Sequence, residues 1–331
     1  MGAEPELSRS PVVAMIGMAT MDHLYVLEDH PKADSVNPAL EYHTVVGGTA
    51  GRGAIAAKRL GGATRLLAAC GTGMHAQVLM AHLDAEGVDC TWVAYDQPSQ
   101  HSAVIVARGD ATRTIIWLPQ PMADARMIER LPDFLEGVDV VLLDATDEGL
   151  ATAALDECER RGITTVIDTG SGRPWTASLL SRVDHVIAPE TYVLKETGHP
   201  AEGAAVELWS DHCRAVFGVT QGPRGGVFTT GKGSECVERW HAAPVTAVDS
   251  CGAGDTFHGA YAWAVASGLP PAECFDTAAW SAALKVSRLG NKGIPTLDQL
   301  ESARESSSAG KRVSAAAGPA PTRVRRADAA P

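Results

Sequence analysis

Asp249-Ser-Cys-Gly-Ala-Gly-Asp-Thr-Phe-His-Gly259 is the stretch whose reading decides the fold. Ahead of it lies a β-branched apolar run, Ala243-Pro-Val-Thr-Ala-Val248. Behind it, Ala260-Tyr-Ala-Trp-Ala-Val-Ala266 has the composition of a buried helix. The order is therefore strand, glycine turn, helix start. Gly252, Ala253 and Gly254 leave backbone N–H groups uncovered at the positive end of a helix dipole, which is an arrangement suited to an anion. Asp255 adds a carboxylate beside that anion site. A base next to donors for transferred charge is what moving a phosphoryl group onto a hydroxyl requires. The competing reading is a plain glycine turn with Asp255 as helix cap. Cys251, just before the turn, is read either as a small packed side chain or as a thiol activated by the helix dipole.

Working outward, the chain alternates strands and helices. Val138–Leu143, Thr164–Asp168, His185–Ala188 and Ala215–Val219 read as strands, with helices over Glu148–Arg161 and about Ala204–His212 between them. That alternation predicts a doubly wound, mostly parallel sheet. Val12–Gly17 and Arg65–Cys70 read as further buried strands, and Ala272–Ser287 as an alanine-rich helix. Four extended pieces lack helices of their own: 22–28, 39–46, 101–107 and 112–118, the last two joined by the turn Arg108-Gly-Asp-Ala111. They predict a small sheet beside the core, serving as a lid, with its strands within about 22–46 and 100–118.

Other glycine turns follow strands. Gly47-Gly48-Thr49-Ala50-Gly51-Arg52-Gly53 opens a small-residue helix. Gly71-Thr-Gly73-Met-His75-Ala76 has dinucleotide-fingerprint spacing, but not in a first βα unit, and Asp89 and Asp96 lie in turn-like surroundings rather than as a ribose partner. Thr220-Gln-Gly222-Pro-Arg-Gly225 leads into a hairpin just upstream of the opening stretch.

The totals limit the function classes. The chain has 331 residues, seven cysteines without a CxxC pair, and a net charge of −12. Six Lys/Arg against two acids in 304–331 make the tail basic and leave the body more acidic still, which argues against nucleic acid as main partner. No apolar run reaches membrane-helix length, and the acidic N-terminus has no signal-peptide pattern. Residues 1–10 read as a flexible leader, 11–300 as the folded domain and 301–331 as a disordered basic tail. The expected setting is cytoplasmic.

Three glycine motifs in fixed order, with Asp22 ahead of them, resemble the ribokinase-like (PfkB) family of sugar and nucleoside kinases over roughly residues 12–300. Asp249–Phe257 is similar to the family's D-T-x-G-A-G-D-x-F. The resemblance implies a ribokinase-like three-layer α/β fold with a lid, ATP and Mg²⁺ as cofactors, and a small-molecule sugar as substrate. It implies that Asp255 is the base and that Gly252, Ala253 and Gly254 form the anion hole. Thr220, Gly222, Gly225, Gly252, Gly254 and Ala282, at the 279–283 helix start, would lie along ATP. Asp22, Gly47, Gly48, Arg52 and Arg113 would meet the substrate, with a strand-end cap as the other reading of Asp22 and pairing across the lid hairpin as that of Arg113. Glu190 in Pro189-Glu190-Thr-Tyr192, an eroded N-x-x-E motif, would reach the metal through water. A homodimer through the lid sheet is one assembly the architecture allows.

Two departures stand out. Arg52 occupies the place of a sugar-contacting Asn, so that it either meets an anionic substrate group or is solvated on its helix. His75 replaces the usual Asp of a G-x-D turn and reads as a surface or lid histidine. Ser102-Ala-Val-Ile-Val, Arg113-Thr-Ile-Ile and Gly293-Ile-Pro are most similar to ketohexose-type members, including sulfofructose kinases and ketohexokinases. The expected reaction is transfer of the γ-phosphoryl of ATP to a hydroxyl of a sugar, ketoses and acidic sugars favoured. A nucleoside kinase and a non-catalytic sensing member are the alternatives.

Overall fold

The computed structural model describes residues 9–109, 111–118, 125–212, 214–231 and 236–316. Its central strands are β1 (Val12–Ile16), β4 (Ala63–Thr72) and β8 (Val140–Leu143). β1 and β8 are nearly continuous apolar runs because both faces of a parallel sheet are covered. Further strands are β5 (Asp89–Pro98), β9 (Thr164–Asp168), β10 (His185–Pro189), β11 (Val216–Thr220), β12 (Gly226–Thr229) and β13 (Val237–Trp240). They form a nine-stranded sheet in the order β13-β12-β11-β10-β9-β8-β1-β4-β5. Seven strands run parallel, and β12 and β13 add an antiparallel edge.

Helices cover both faces. One carries α1 (Thr49–Arg59), α2 (Met74–Ala85), α8 (Ala253–Ala266) and α9 (Pro271–Val286). The other carries α3 (Ala125–Phe134), α4 (Glu148–Arg161), α5 (Thr176–Leu180), α6 (Glu190–Thr197) and α7 (Ala201–His212). Alternation along β1 divides its side chains: Val13 and Met15 enter the first core, Ala14 and Ile16 the second. The expected three-layer α/β architecture is present. The chain turns from one direction of sheet growth to the other between β1 and β8, and clefts beyond the carboxyl ends of strands at such a switch point are where ligands bind.

The lid is a four-stranded sheet ordered β3-β2-β6-β7, from β2 (Thr20–Leu27), β3 (Glu41–Gly47), β6 (His101–Ala107) and β7 (Arg113–Trp117). Leu24, Val104 and Val106 of its inner face pack on Cys251, so the lid rests on the glycine turn that opened the sequence.

Elements β5, α3, α5 and α6 were not read from sequence as such, and the strand expected at Ala243–Val248 is absent: β13 ends at Trp240 and the chain runs irregularly to α8. Asp89 and Asp96 sit in strand β5 rather than in turns. The tail also differs from expectation. Helix α10 runs Leu297–Ala316 instead of order ending at 301. Leu297 and Leu300 pack on the first core, and Arg304 pairs with Asp276 at 2.7 Å; their spacing of three and four is that of one helix face. Residues 1–8 and 317–331 lie outside the described residues.

Candidate active site

Helix α8 begins at Ala253, with Gly252 as its N-cap in the left-handed region (φ 77°). Asp255 is therefore the third helical residue. It is not the cap, and its side chain is turned instead toward α1: Oδ1 accepts from Thr49 Oγ1 at 3.3 Å and Oδ2 from Arg52 Nη1 at 3.0 Å. Of the anion-turn residues, Gly254 is exposed and Ala253 half-buried. The Ala253 amide makes a long bond to the Ser250 carbonyl at 3.4 Å. A Cβ on Gly252 would lie 2.6 Å from Arg52 Cδ, so glycine is needed there both for φ and for the passing side chain.

Arg52 is the hinge of the site. Its side chain is 5% exposed, and its Nη2 donates to Asp22 Oδ2 at 2.5 Å while Nη1 holds Asp255. Nε reaches Asn291 Oδ1 at 3.4 Å. Burial opposes the charge, but Cys251, Asp22 and Asp255 outweigh it and hold the guanidinium well above its ordinary pKa. Neither expected role is what the geometry displays: Arg52 is not solvated, and its donors are already directed at two carboxylates of this chain.

Asp22 is the third residue of β2, within the strand and not at its end. Its other oxygen accepts from Ser102 Oγ of the adjacent strand at 2.5 Å. The glycine pair of the first motif makes room for it. A Cβ at Gly47 would fall 2.3 Å from the Asp22 carboxyl, and one at Gly48, which has φ 80°, would fall 2.4 Å from the Met18 carbonyl. The close approach of α1 and α8 has the same origin, since a Cβ on Gly259 would meet the Gly53 carbonyl oxygen at 2.3 Å. Small residues at this crossing are what bring Arg52 across to Asp255.

Thr220 ends β11, and Gly222–Arg224 forms a single 3-10 turn closed by Gly225. Gly222 (φ 57°) has open space where a Cβ would be, whereas Gly225 (φ 82°) abuts the Trp240 carbonyl. Glu190, the first residue of α6, accepts from Gln221 Nε2 at 2.8 Å and from Arg224. It braces this turn. Ala282 belongs to the C-terminal half of α9, not to a helix start, and packs against the core. Arg113, on β7, does not join Asp22; it donates to Ser250 Oγ at 3.1 Å, and Ser250 Oγ donates to the Ala111 carbonyl. It fastens the lid to the glycine turn.

Three sequence readings can now be decided. The Gly71 turn is shaped by the chain itself, because a Cβ there would strike Gln97 O and Ser99 N; no cofactor is needed to explain that glycine. His75, on α2, lies against the lid, its ring 4.9 Å from that of His23 and 4.2 Å from that of His101. Cys251 is 1% exposed, and burial pushes its thiol up in spite of Arg52. It is a packed side chain and not an activated one.

Sequence reasoning missed Ser102 as a partner of Asp22, and missed two carboxylates at the sheet's carboxyl edge, the half-buried Asp144 and the buried Asp168. Asp144 accepts from the Met18 amide and Thr146, and burial raises its pKa. Asp168 faces His258 Nδ1 at 3.4 Å. Their position directly after β8 and at the end of β9 was the available signal. Among the described residues no three His, Cys, Asp or Glu side chains are arranged to hold a metal ion.

Comparison with known proteins agrees with this geometry. The model of a family described as pfkB family carbohydrate kinase matches residues 11–297. A ribokinase from Bacillus subtilis (strain 168) is 26% identical over 304 residues, covering 87% of this chain and 98% of its own length. Among solved structures, a ribokinase from Arabidopsis thaliana complexed with ribose and ATP superposes with a TM-score of 0.71 at 22% identity, covering 89% of this chain and 98% of that one. A nucleoside kinase from Burkholderia thailandensis in complex with inosine gives a TM-score of 0.73 at 18% identity, with coverage of 89% and 98%.

Proposed function

Since this chain belongs to the pfkB family of carbohydrate kinases, and so is an ATP-dependent sugar kinase, we propose that Asp255 is the base that activates the acceptor hydroxyl. The observation that carries this reading is the placement of Asp255. It stands in the first turn of α8, beside the exposed Gly254 and across Arg52 from the lid carboxylate Asp22. The hydroxyl proton passes to Asp255. The acceptor oxygen forms a bond to the γ-phosphorus as the bond to the ADP oxygen breaks, and the Gly252–Gly254 amides at the helix N-terminus meet the transferred charge.

ATP fits the turn at Thr220, Gly222 and Gly225, whose open Gly222 lets a phosphate approach the backbone. Mg²⁺ has no ready protein cage, because Glu190 is already engaged by Gln221 and Arg224. It would enter with the nucleotide, where it neutralises phosphate charge.

For the acceptor, Asp22 and Ser102 offer a hydrogen-bonding pair suited to vicinal hydroxyls. Arg52 is neutralised by two carboxylates, which favours an uncharged sugar, ketose or pentose, over an acidic one. One observation supports a second reading. Trp117 lies opposite Ser102 in the lid register and is 46% exposed, an aromatic surface on which a nucleobase could stack. The setting is one that supplies ATP, the cytoplasm; no described helix is long and apolar enough to cross a membrane. The opposite lid face carries exposed Tyr25, Tyr42 and Ile116, which suits a homodimer through the lid sheet.

The test is an ADP-release assay over pentoses, ketohexoses, aldonates, sulfo-sugars and nucleosides. At least one neutral sugar or nucleoside should support turnover. Asp255→Asn should lower kcat by about 10²-fold or more while circular dichroism shows that the protein is still folded. Wild-type turnover by that variant would remove Asp255 from the role of base.

A further inference from the structure

Behind the anion turn lies a cation that the phosphoryl chemistry does not use. Lys285, near the end of α9, and Asp249, the first residue of the opening stretch, are both 0% exposed. Lys285 Nζ donates to Asp249 Oδ2 at 2.9 Å and to the Asp249 carbonyl at 3.0 Å. The same carboxylate accepts from the amides of Cys251 and Gly290, each at 2.9 Å. The Val286 carbonyl receives the Val248 and Asp249 amides at 2.7 and 3.1 Å.

The Asp249 carboxylate, held by one ammonium, therefore gathers three pieces of chain: the segment entering the turn, the turn itself at Cys251, and the loop at Gly290. That loop is pinned in turn. A Cβ on Gly293 would lie 2.3 Å from the Lys285 carbonyl, and Arg59 Nη1 donates to the carbonyls of Asn291 and Ile294 at 2.8 Å. Burial works against the charge of Lys285, opposed by Asp249. A buried ion pair is a poor way to gain stability, and an apolar residue of like length would pack at lower cost. Its placement directly under the residues that receive the transferred group calls for another reason.

We propose that Lys285 is a tethered monovalent cation, a positioning residue that holds Asp249 and through it the Gly252–Gly254 amides in their anion-receiving orientation, so that this enzyme requires no dissolved monovalent cation. The proposal rests on the phosphotransferase reading above. Lys285 touches neither nucleotide nor acceptor in that scheme; it acts through the turn. Shortened to alanine, it would leave a space faced by a carboxylate and a carbonyl oxygen, a setting that an alkali or ammonium ion can fill.

The experiment compares KCl, NaCl and NH₄Cl with tetramethylammonium chloride, an ion too large for such a space, at constant ionic strength. Wild-type kcat should vary by less than about twofold among the salts. Lys285→Met, which keeps length but not charge, should lose about 30-fold in kcat with acceptor KM within about threefold. Lys285→Ala should recover about tenfold of its lost kcat in K⁺ or NH₄⁺, and its melting temperature should rise in KCl relative to tetramethylammonium chloride while that of wild type does not.

The melting comparison needs no turnover. If wild type phosphorylates no acceptor in any salt, the phosphotransferase reading fails while the cation site is still judged by melting. Stimulation of wild type by K⁺ of about fivefold or more, or a folded Lys285→Met within about twofold of wild-type kcat, overturns the proposal. So does a Lys285→Ala protein indifferent to K⁺ in both activity and melting. Should that variant not fold, the wild-type salt series and Lys285→Met decide alone.

Discussion

At the scale of single residues, the site is a chain of charge: Asp22, Arg52, Asp255. Removing the middle member leaves a buried carboxylate whose cation has gone, and unpairing one side of a buried ion pair is worth about 3 kcal/mol. Arg52→Ala should therefore lower the unfolding free energy by that order, measurable in urea. Arg52→Lys should restore only part of it, since one ammonium cannot span two carboxylates as a guanidinium does. Glu190 makes a different prediction. Glu190→Gln weakens its hold on Arg224 and loosens the turn at Gly222, so KM for ATP should rise several-fold with kcat changed less, read from initial rates. Asp255 and the glycines around it were legible from sequence because closely spaced glycines ahead of an alanine-rich helix announce themselves locally, even though the run read as a strand before them, Ala243–Val248, is irregular. Arg52's two partners were not, because they come from residues 30 positions earlier and 203 later. Lys285 was passed over for the same reason. A lysine in an alanine-rich helix reads as solvated unless the buried carboxylate beneath it is known.

Among the elements, the crossing of α1 and α8 is the one on which the site depends. Gly259→Ala would press a methyl into the Gly53 carbonyl, and overpacking of this kind costs about 1–3 kcal/mol. Stability and kcat should fall together, because displacing either helix moves Arg52 from Asp255. β10 and α8 meet through His185, whose Nδ1 lies 3.0 Å from the Tyr261 hydroxyl. Burial lowers the His185 pKa from 6.5 to about 4. The folded state thus favours the neutral ring, while the unfolded chain takes up a proton near pH 6.5. The contribution is complete above that pH and is lost as pH falls toward about 4, a change on the order of 3 kcal/mol. His185→Gln should flatten that part of the stability–pH curve, as followed by chemical denaturation. Elements with strong local punctuation were legible here, α4 above all: Asp147 caps it by accepting from Leu150 N, and Gly162 ends it in the left-handed region. Strand β5 was not, because its outer residues are exposed at a sheet edge and carry the polar composition of a loop.

At the scale of the whole molecule, the lid sheet has two unlike faces. Its inner face carries Asp22, Ser102 and the apolar contacts to Cys251, and its outer face exposes Tyr25, Tyr42 and Ile116. Sedimentation should find a dimer, and Ile116→Glu should shift it toward monomer without altering the fold, as judged by circular dichroism. Arg113 and Ser250 join that lid to the glycine turn, so movement of one is transmitted to the other. Another consequence belongs to the guanidinium between the two carboxylates. With Thr49 on one oxygen of Asp255 and Arg52 on the other, each oxygen keeps a lone pair while the carboxylate is held in one orientation, so a hydroxyl must arrive from a defined direction to surrender its proton, and loosely held water competes poorly. Idle turnover should then be slow, and Arg52→Ala, which frees the carboxylate to turn, should leak phosphate from ATP when no sugar is supplied.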